Sequence, residues 1–507
     1  MEQQTFTVLF IIALYIIAIL AIGLGAVKYA KGTLEDYYTG SREFKALVLF
    51  CGIFAANISA VTLIGIPGQA YHNGWIMWPY FVTTWAWLSP ILFYTVGNRA
   101  WLLGKKYGYV TMSDVIIGRW NSKTLGYLVA VVGLIYTVPY LMTGAMGAGQ
   151  VLEGLTQGTI PYWLGALIIS VVIGIYVIMG GMRGSIWANT VQALVFMVGA
   201  LVIFLYAMST VGGPAQVTQN IMQNNPQLLS RENLPWQTFF SFGIIVALGV
   251  PMFPQLFTRL LTGKSIGELK KMSMMYPFAG LFIFSVCVYI GMWGHTLIPG
   301  LEGKQAEQII PLFLAQYAPV FMTGILGAAI LAATMSTMDS QLLAAGTIFT
   351  KDILLKSSSS SNIDDKQKLL ISKSVLFAMV IISYVLALVK PTGIITLVNW
   401  AFGGFACLIV PMLAALYWRR CTKEAAIAAL LVSQIVQVAL PLGIIPASFA
   451  MGMLPGVPAL VLGLIVLIVV TYITPAPDQK ATNDFFSTFA RLTKESKTIG
   501  GDPEVTV

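Results

Sequence analysis

Charge is what this chain has least of. Only 10% of its 507 residues are Asp, Glu, Lys or Arg, against about 25% in a soluble domain, so a large water-facing globule is excluded. Histidine is nearly missing too: His72 and His295 are the only two. A zinc site or a His-based catalytic triad has too little to work with, which argues against an intramembrane enzyme. Cys51, Cys287, Cys407 and Cys421 share no metal-type spacing and read as inert small hydrophobes. No segment alternates like an outer-membrane strand, and no stretch is left for a separate soluble domain.

What fills the chain is apolar: 57% of residues are hydrophobic and the mean hydropathy is +0.81. Runs of roughly 18 or more apolar residues recur from end to end, each able to span ~30 Å of hydrocarbon as a helix. The pattern predicts an all-α polytopic membrane protein with thirteen spans, at 6–28, 46–68, 76–97, 124–150, 161–180, 186–208, 236–257, 274–298, 320–347, 371–390, 393–417, 424–443 and 454–474. The first is too long for a signal peptide, follows "MEQQ" without a basic region, and has no small-residue cleavage site.

Basic residues set the expected orientation. Alternate loops and the tail hold 26 of the 29 Lys and Arg residues; the other side holds Arg231, Lys304 and Lys390. The N-terminus is therefore expected outside and the C-terminus in the cytoplasm of a multi-pass cell-membrane protein. This asymmetry also accounts for the +9 charge without nucleic acid. The stretch "KSSSSSNIDDKQK" (356–368) reads as a mobile linker. In the tail, 475–507, "DFFSTFARL" reads either as an amphipathic turn or two on the membrane surface or as part of a disordered tail.

Two features suggest transport. Gly65, Pro67 and Gly68 interrupt the second span, and Gly249, Pro251 and Pro254 interrupt the seventh. Broken helices five spans apart suit two inverted five-helix repeats, about 46–208 and 236–417, with 6–28, 424–443 and 454–474 peripheral. The ninth span carries "LAATMSTMDSQLL" (331–343), in which Ala333, Ser336, Thr337 and Ser340 share one helical face. Asp339 flanks that face and is the one carboxylate well inside any span. A central Asp costs ~2.5–3.5 kcal/mol to insert, so it is expected to face the protein interior. Hydroxyls beside a carboxylate supply the hard oxygens that an unpolarisable cation prefers.

Four motifs then resemble the sodium:solute symporter family: "AANISAVTLIG" (55–65), "GGMRGSIWANTVQA" (180–193), "FPQLFTRLLTGKS" (253–265) and "AATMSTMDSQLLAAGTIFTKD" (332–352). They stand in the family's order, and the resemblance covers nearly all thirteen spans. It implies the leucine-transporter fold, alternating access, and Na+ as coupling ion. By motif, the resemblance places sodium between the carbonyls of Ala55, Ile58 and Ala333 and the hydroxyls of Ser336 and Thr337. It places a second cation or a proton near Asp339, Ser340 and Asn189. Relatives often carry Asp where this chain has Asn189 or Asn57, which leaves Asp339 as the only formal negative charge expected nearby.

The solute is less legible. Too few polar partners follow the broken helix for a sugar. No Arg or Lys is expected inside a span to pair with a carboxylate, and a half-helix N-terminus is the expected substitute. Candidate lining residues are Asn57, Thr62, Tyr71, Trp75, Tyr140, Phe253 and Gln255. The chain looks nearest to the monocarboxylate and pantothenate-like members. The expectation is therefore a sodium-coupled secondary active symporter of a small organic anion in a lipid bilayer, with no obligate protein partner evident. A proton-coupled symporter working through Asp339 and a proline- or pantothenate-type symporter are the alternatives. A sensor is disfavoured by the short tail, and a channel would show uncoupled conductance.

Overall fold

A computed structural model describes residues 2–31, 33–354, 356, 364–389 and 393–495. Most of the expected linker, and the tail from 496 on, lie outside the described residues. Among those described there is no named strand, and one isolated bridge joins Phe44 and Gly263. Numbered along the chain, the principal helices begin with α1 (Glu2–Gly25), α2 (Ala46–Asn57), α3 (Ile66–Asn73), α4 (Leu88–Tyr107), α5 (Met112–Trp120) and α6 (Lys123–Leu155). Next come α7 (Tyr162–Thr210), α8 (Trp236–Gly249), α9 (Pro254–Leu260), α10 (Ile266–Leu297) and α11 (Val320–Thr347). The last are α12 (Asp365–Val389), α13 (Ile394–Cys407), α14 (Ile409–Tyr417), α15 (Lys423–Ala439), α16 (Gly456–Ile473) and α17 (Gln479–Glu495).

Eight helices among the described residues are long and apolar enough to cross a membrane, or ten if two bent pairs each count as one span. Helix α7 holds 49 residues, about 74 Å at 1.5 Å per residue, more than twice the hydrocarbon thickness. It turns at Gly181, whose φ of +54° and ψ of −145° suit glycine alone. A Cβ there would stand 2.6 Å from the Tyr37 ring.

The second bend falls where Gly and Pro predicted a break, whereas the first lies at 58–60, ahead of Gly65, Pro67 and Gly68, which stand within helix; the local reasons differ. After α2, Ile58 is extended (φ −82°, ψ 115°). The Ser59 N–H turns to Thr62 Oγ1 at 3.4 Å and the Ser59 hydroxyl takes the Val61 N–H at 3.1 Å. Local Ser and Thr bonds thus replace the helical ladder. After α8, Pro251 and Pro254 remove two donors, and Phe253, which precedes Pro254, is extended (φ −63°, ψ 124°) because αR is disfavoured there. The chain bends by 55° at the first break and 54° at the second.

Helix α11 is the axis of the molecule. It packs on α1, α2, α6, α7 and α12, and every residue from Leu326 to Thr347 is buried. A seam of charge closes one end of it: Lys351 and Lys356 each stand 2.9 Å from Asp114, and Lys356 stands 2.7 Å from Asp352. Burial works against the Asp114 carboxylate, but Lys351, Lys356 and the Val110 N–H hold its pKa well below the usual carboxylate range.

In the tail, Gln479–Glu495 form a helix, α17, longer than the turn or two expected, and its Phe485, Phe486 and Phe489 are buried against protein, 5–6% exposed. The reason is a row of guanidinium groups over the rings, Arg119 at 5.2 Å and Arg419 at 5.1 Å from Phe486, and Arg99 at 4.8 Å from Phe489. Cation–π attraction of this kind favours ring burial against the protein.

Candidate functional site

The break after α2 frees carbonyl oxygens. The Ile58 N–H still reaches Phe54 O, but the Ser59 N–H has turned away, so Ala55 O has lost its helical donor. Two α11 hydroxyls take its place. Ser336 Oγ donates to Ala55 O at 2.9 Å and to Ala333 O at 3.0 Å; Thr337 Oγ1 donates to Ala55 O at 3.2 Å and to Ile58 O at 2.8 Å. The five oxygens that the resemblance singles out are therefore joined by hydrogen bonds where the break meets α11. Ala55, Ile58, Ala333 and Ser336 are fully buried and Thr337 is 2% exposed. Helix α6 closes in at Gly147, which packs directly on the Ala60 methyl.

One turn further along α11 lies a second polar cluster. Asp339 Oδ1 accepts from Ser340 Oγ at 2.8 Å and from Ser185 Oγ and Asn189 Nδ2 at 3.1 Å each; its Oδ2 accepts from Tyr176 OH at 2.8 Å. The expected trio of Asp339, Ser340 and Asn189 is thus assembled, but with a member the sequence reading excluded. Arg259, 1% exposed, places Nη2 2.7 Å from both Ser185 Oγ and Ser340 Oγ and 3.9 Å from Asp339 Oδ1, while Nη1 donates to Gly52 O. The expectation that no Arg lies within a span is corrected: α9 continues the bent span and carries Arg259 into the interior. At this separation the attraction is about 4 kcal/mol at an effective dielectric of 20, offset by the cost of desolvating both groups.

The candidate solute residues divide into two groups. Tyr140 and Phe253 meet at 5.4 Å, and both face Phe402, at 5.6 and 4.7 Å. Trp85, in a π-helical turn at Val82–Ala86, adds its ring 5.3 Å from Phe402. Asn57 Oδ1 at the break, Trp85 Nε1 in the nest and both amide atoms of Gln255, two residues after Phe253, are buried without a partner among the described residues. A buried polar atom left unpaired costs ~1–3 kcal/mol, so several in the same region mark a place where a polar molecule would supply the missing bonds. Thr62 sits at the same break with its hydroxyl engaged by Ser59.

Tyr71 and Trp75 belong elsewhere. The Tyr71 hydroxyl bonds Ile298 O at 3.0 Å and the Leu301 N–H at 3.1 Å, with its ring stacked on His295. Trp75 stacks on Trp78 and meets Tyr289 at a tilt. Both pack the far end of the bent span. Sequence reasoning missed Trp85, Phe402, Tyr176, Ser185 and Arg259. Only Ser185 carried a readable signal, since it lies four residues before Asn189 on one helical face.

A helix broken at a cage of oxygens, facing an aromatic nest inside a helical membrane protein, defines an ion-coupled carrier of small molecules. Residues 37–433 match the model of the sodium:solute symporter family, and the chain belongs to that family; Na+ is its coupling ion. The sodium/pantothenate symporter of Escherichia coli (strain K12) is 28% identical over 475 residues, 90% of this chain and 94% of that one. The osmoregulated proline transporter OpuE of Bacillus subtilis (strain 168) is 27% identical over 497 residues, 96% and 98% of the two chains. In fold the chain is similar to a Na+-coupled sialic acid symporter solved in a substrate-bound outward-open state. That match has a TM-score of 0.78 at 20% identity and covers 93% of this chain and 99% of that one. The protein is a multi-pass membrane transporter, not an enzyme.

Proposed function

We propose that the chain imports a small organic solute bearing one carboxylate, driven by one Na+ held by Ala55 O, Ile58 O, Ala333 O, Ser336 Oγ and Thr337 Oγ1. The observation that carries this is the meeting of the three carbonyls with the two hydroxyls, each carbonyl 2.8–3.2 Å from one of them. Here the hydroxyl protons satisfy the carbonyls; with a cation at the centre, the same oxygens turn their lone pairs to it. Both elements that meet at the cage, the break and α11, are needed to complete it. The ion therefore fastens the broken helix to the axis, which is how binding couples to conformation.

The solute sits in the nest of Trp85, Tyr140, Phe253 and Phe402. Asn57 and Gln255 meet its polar groups, and the helix start after the break, at Ser59 and Ala60, presents its positive end to the carboxylate. Pantothenate and proline, carried by relatives, each have one carboxylate, as do the simple monocarboxylates. Thirteen spans in two inverted repeats, about 46–208 and 236–417, accommodate the paired bends of 55° and 54° and the double length of α7. Basic-residue asymmetry sets the N-terminus outside and the C-terminus in the cytoplasm.

The test is uptake of radiolabelled pantothenate, proline, lactate, pyruvate and acetate into proteoliposomes under an inward sodium gradient, with choline as control. Accumulation of one of them that collapses in choline is expected. Accumulation equal in sodium and choline would overturn the coupling through this cage.

A further inference from the structure

The cluster around Asp339 has the composition of a second cation site. Within it lie the Asp339 carboxylate, the Ser185 and Ser340 hydroxyls, and the Asn189 side-chain oxygen, which is buried without a partner among the described residues. Gly52 O faces it from α2 and Ser336 O from α11, the latter accepting from Ser340 Oγ at 2.6 Å. These are hard oxygens drawn from α2, α7 and α11, about one helical turn from the sodium cage: Gly52 precedes Ala55 by three residues and Ser340 follows Ser336 by four. A buried carboxylate among such ligands needs a positive charge.

What stands among them is the guanidinium of Arg259. It is held by Gly52 O, Ser185 Oγ and Ser340 Oγ and lies 3.9 Å from the carboxylate. We propose that Arg259 is a tethered cation occupying this second position, so that the transporter binds one Na+ and not two. The inference rests on the sodium cage proposed above. It makes Arg259 a residue that sets ion stoichiometry without touching the transported ion. A guanidinium also spends its donors on several acceptors at once, as the three oxygens here require, whereas lysine offers a single compact charge. The bonds from α9 to α2, α7 and α11 further tie the second broken span to the first beside the cage.

The experiment counts ions directly, with no solute present. Purified protein in nanodiscs is titrated with radioactive 22Na+ to saturation. Wild type is expected to bind one ion per chain, abolished by the double substitution Ser336→Ala/Thr337→Ala. Asp339→Asn is expected to bind one as well, because its carboxylate faces Arg259 and not sodium. Arg259→Lys keeps the charge and stays at one. Arg259→Gln empties the position and is expected to bind two, returning to one in Arg259→Gln/Asp339→Asn.

A wild-type count of two that falls to one in Asp339→Asn would overturn the proposal while leaving the sodium cage intact. A folded Arg259→Gln that still binds one would overturn it too, since a purely structural ion pair leaves the count unmoved. A wild-type count of zero would sink the cage and this inference with it. Where Arg259→Gln does not fold, the wild-type and Asp339→Asn counts decide.

Discussion

Removing the hydroxyl of Thr337 is the sharpest test of the oxygen cage. Thr337 Oγ1 is the only side-chain atom in the cage that contacts both freed carbonyls of the broken helix, Ala55 O at 3.2 Å and Ile58 O at 2.8 Å. A polar bond to a charged group is worth ~1.5–3 kcal/mol. Thr337→Ala should therefore raise the sodium concentration for half-saturation by roughly 10- to 150-fold. Thr337→Ser keeps the oxygen and should stay within about 3-fold of wild type. Adding Ser336→Ala removes a second ligand from the same ion. Because the two share Ala55 O, the combined loss will fall short of the product of the single effects.

The substitution also costs folding stability, since two buried acceptors lose a donor at ~1–3 kcal/mol. That cost appears in choline and sodium alike, whereas the binding effect appears only as lost stabilisation by sodium. Melting temperature is thus measured against sodium concentration at constant ionic strength, beside 22Na+ binding. A folded double variant that keeps the wild-type sodium dependence in both assays would refute the cage.

Gln255→Ala and Trp85→Phe each remove one unpartnered polar group from the aromatic nest. Each should weaken the apparent affinity for whichever solute is transported by roughly 5- to 30-fold, or ~1–2 kcal/mol; an unchanged half-saturating solute concentration would move the solute elsewhere. Asp114→Asn leaves Lys351 and Lys356 with less compensation and should destabilise the protein by about 3 kcal/mol at neutral pH. Because the folded pKa of Asp114 is depressed, its contribution is full above the ordinary carboxylate pKa of about 4 and is lost as pH falls toward the folded value. The gap from wild type should accordingly narrow in acid unfolding curves, and a gap independent of pH would exclude the ion pairs as its cause. Phe486→Ala should release α17 from Arg119 and Arg419. Losing one buried ring is worth ~2 kcal/mol, so protease cleavage within the tail helix should speed roughly 30-fold; equal rates would show that the ring does not hold the helix down.

The hydroxyl half of the proposed cage could be read from the chain because its cause is local: Ser and Thr at helical spacing put two hydroxyls on one face of α11. The carbonyls of Ala55, Ile58 and Ala333 came only with the family resemblance, since the break lies ahead of Gly65, Pro67 and Gly68. The boundaries of α11 follow from the apolar run that carries the two hydroxyls, and Val320–Thr347 coincides with the span expected there. The proposed solute nest was half legible. Phe253, Asn57, Thr62 and Gln255 lie on the two bent spans, and Tyr140 faces Phe253 from α6. Tyr71 and Trp75 share the same stretch of sequence but lie beyond the bend, where α3 has carried them to contacts with Ile298, His295 and Tyr289. Trp85 entered through a π-helical turn, whose extra residue shifts the face a side chain occupies and so escapes a helical-period reading.

Arg259 was hidden for a more general reason. Counting basic residues assigns an arginine near a span's end to the loop, because an exposed guanidinium prefers water. Whether it turns inward depends on partners contributed by other helices, and here those are Gly52, Ser185, Ser340 and Asp339, from three of them. The same partners explain why Asp339 tolerates full burial: four neutral donors and one cation meet the carboxylate. Asp339 and Arg259 thus make one electrostatic unit, in which either charge alone would be prohibitively expensive to bury. Its location beside the proposed cage, bridging both broken spans, ties the charge balance of the interior to the geometry of those oxygens.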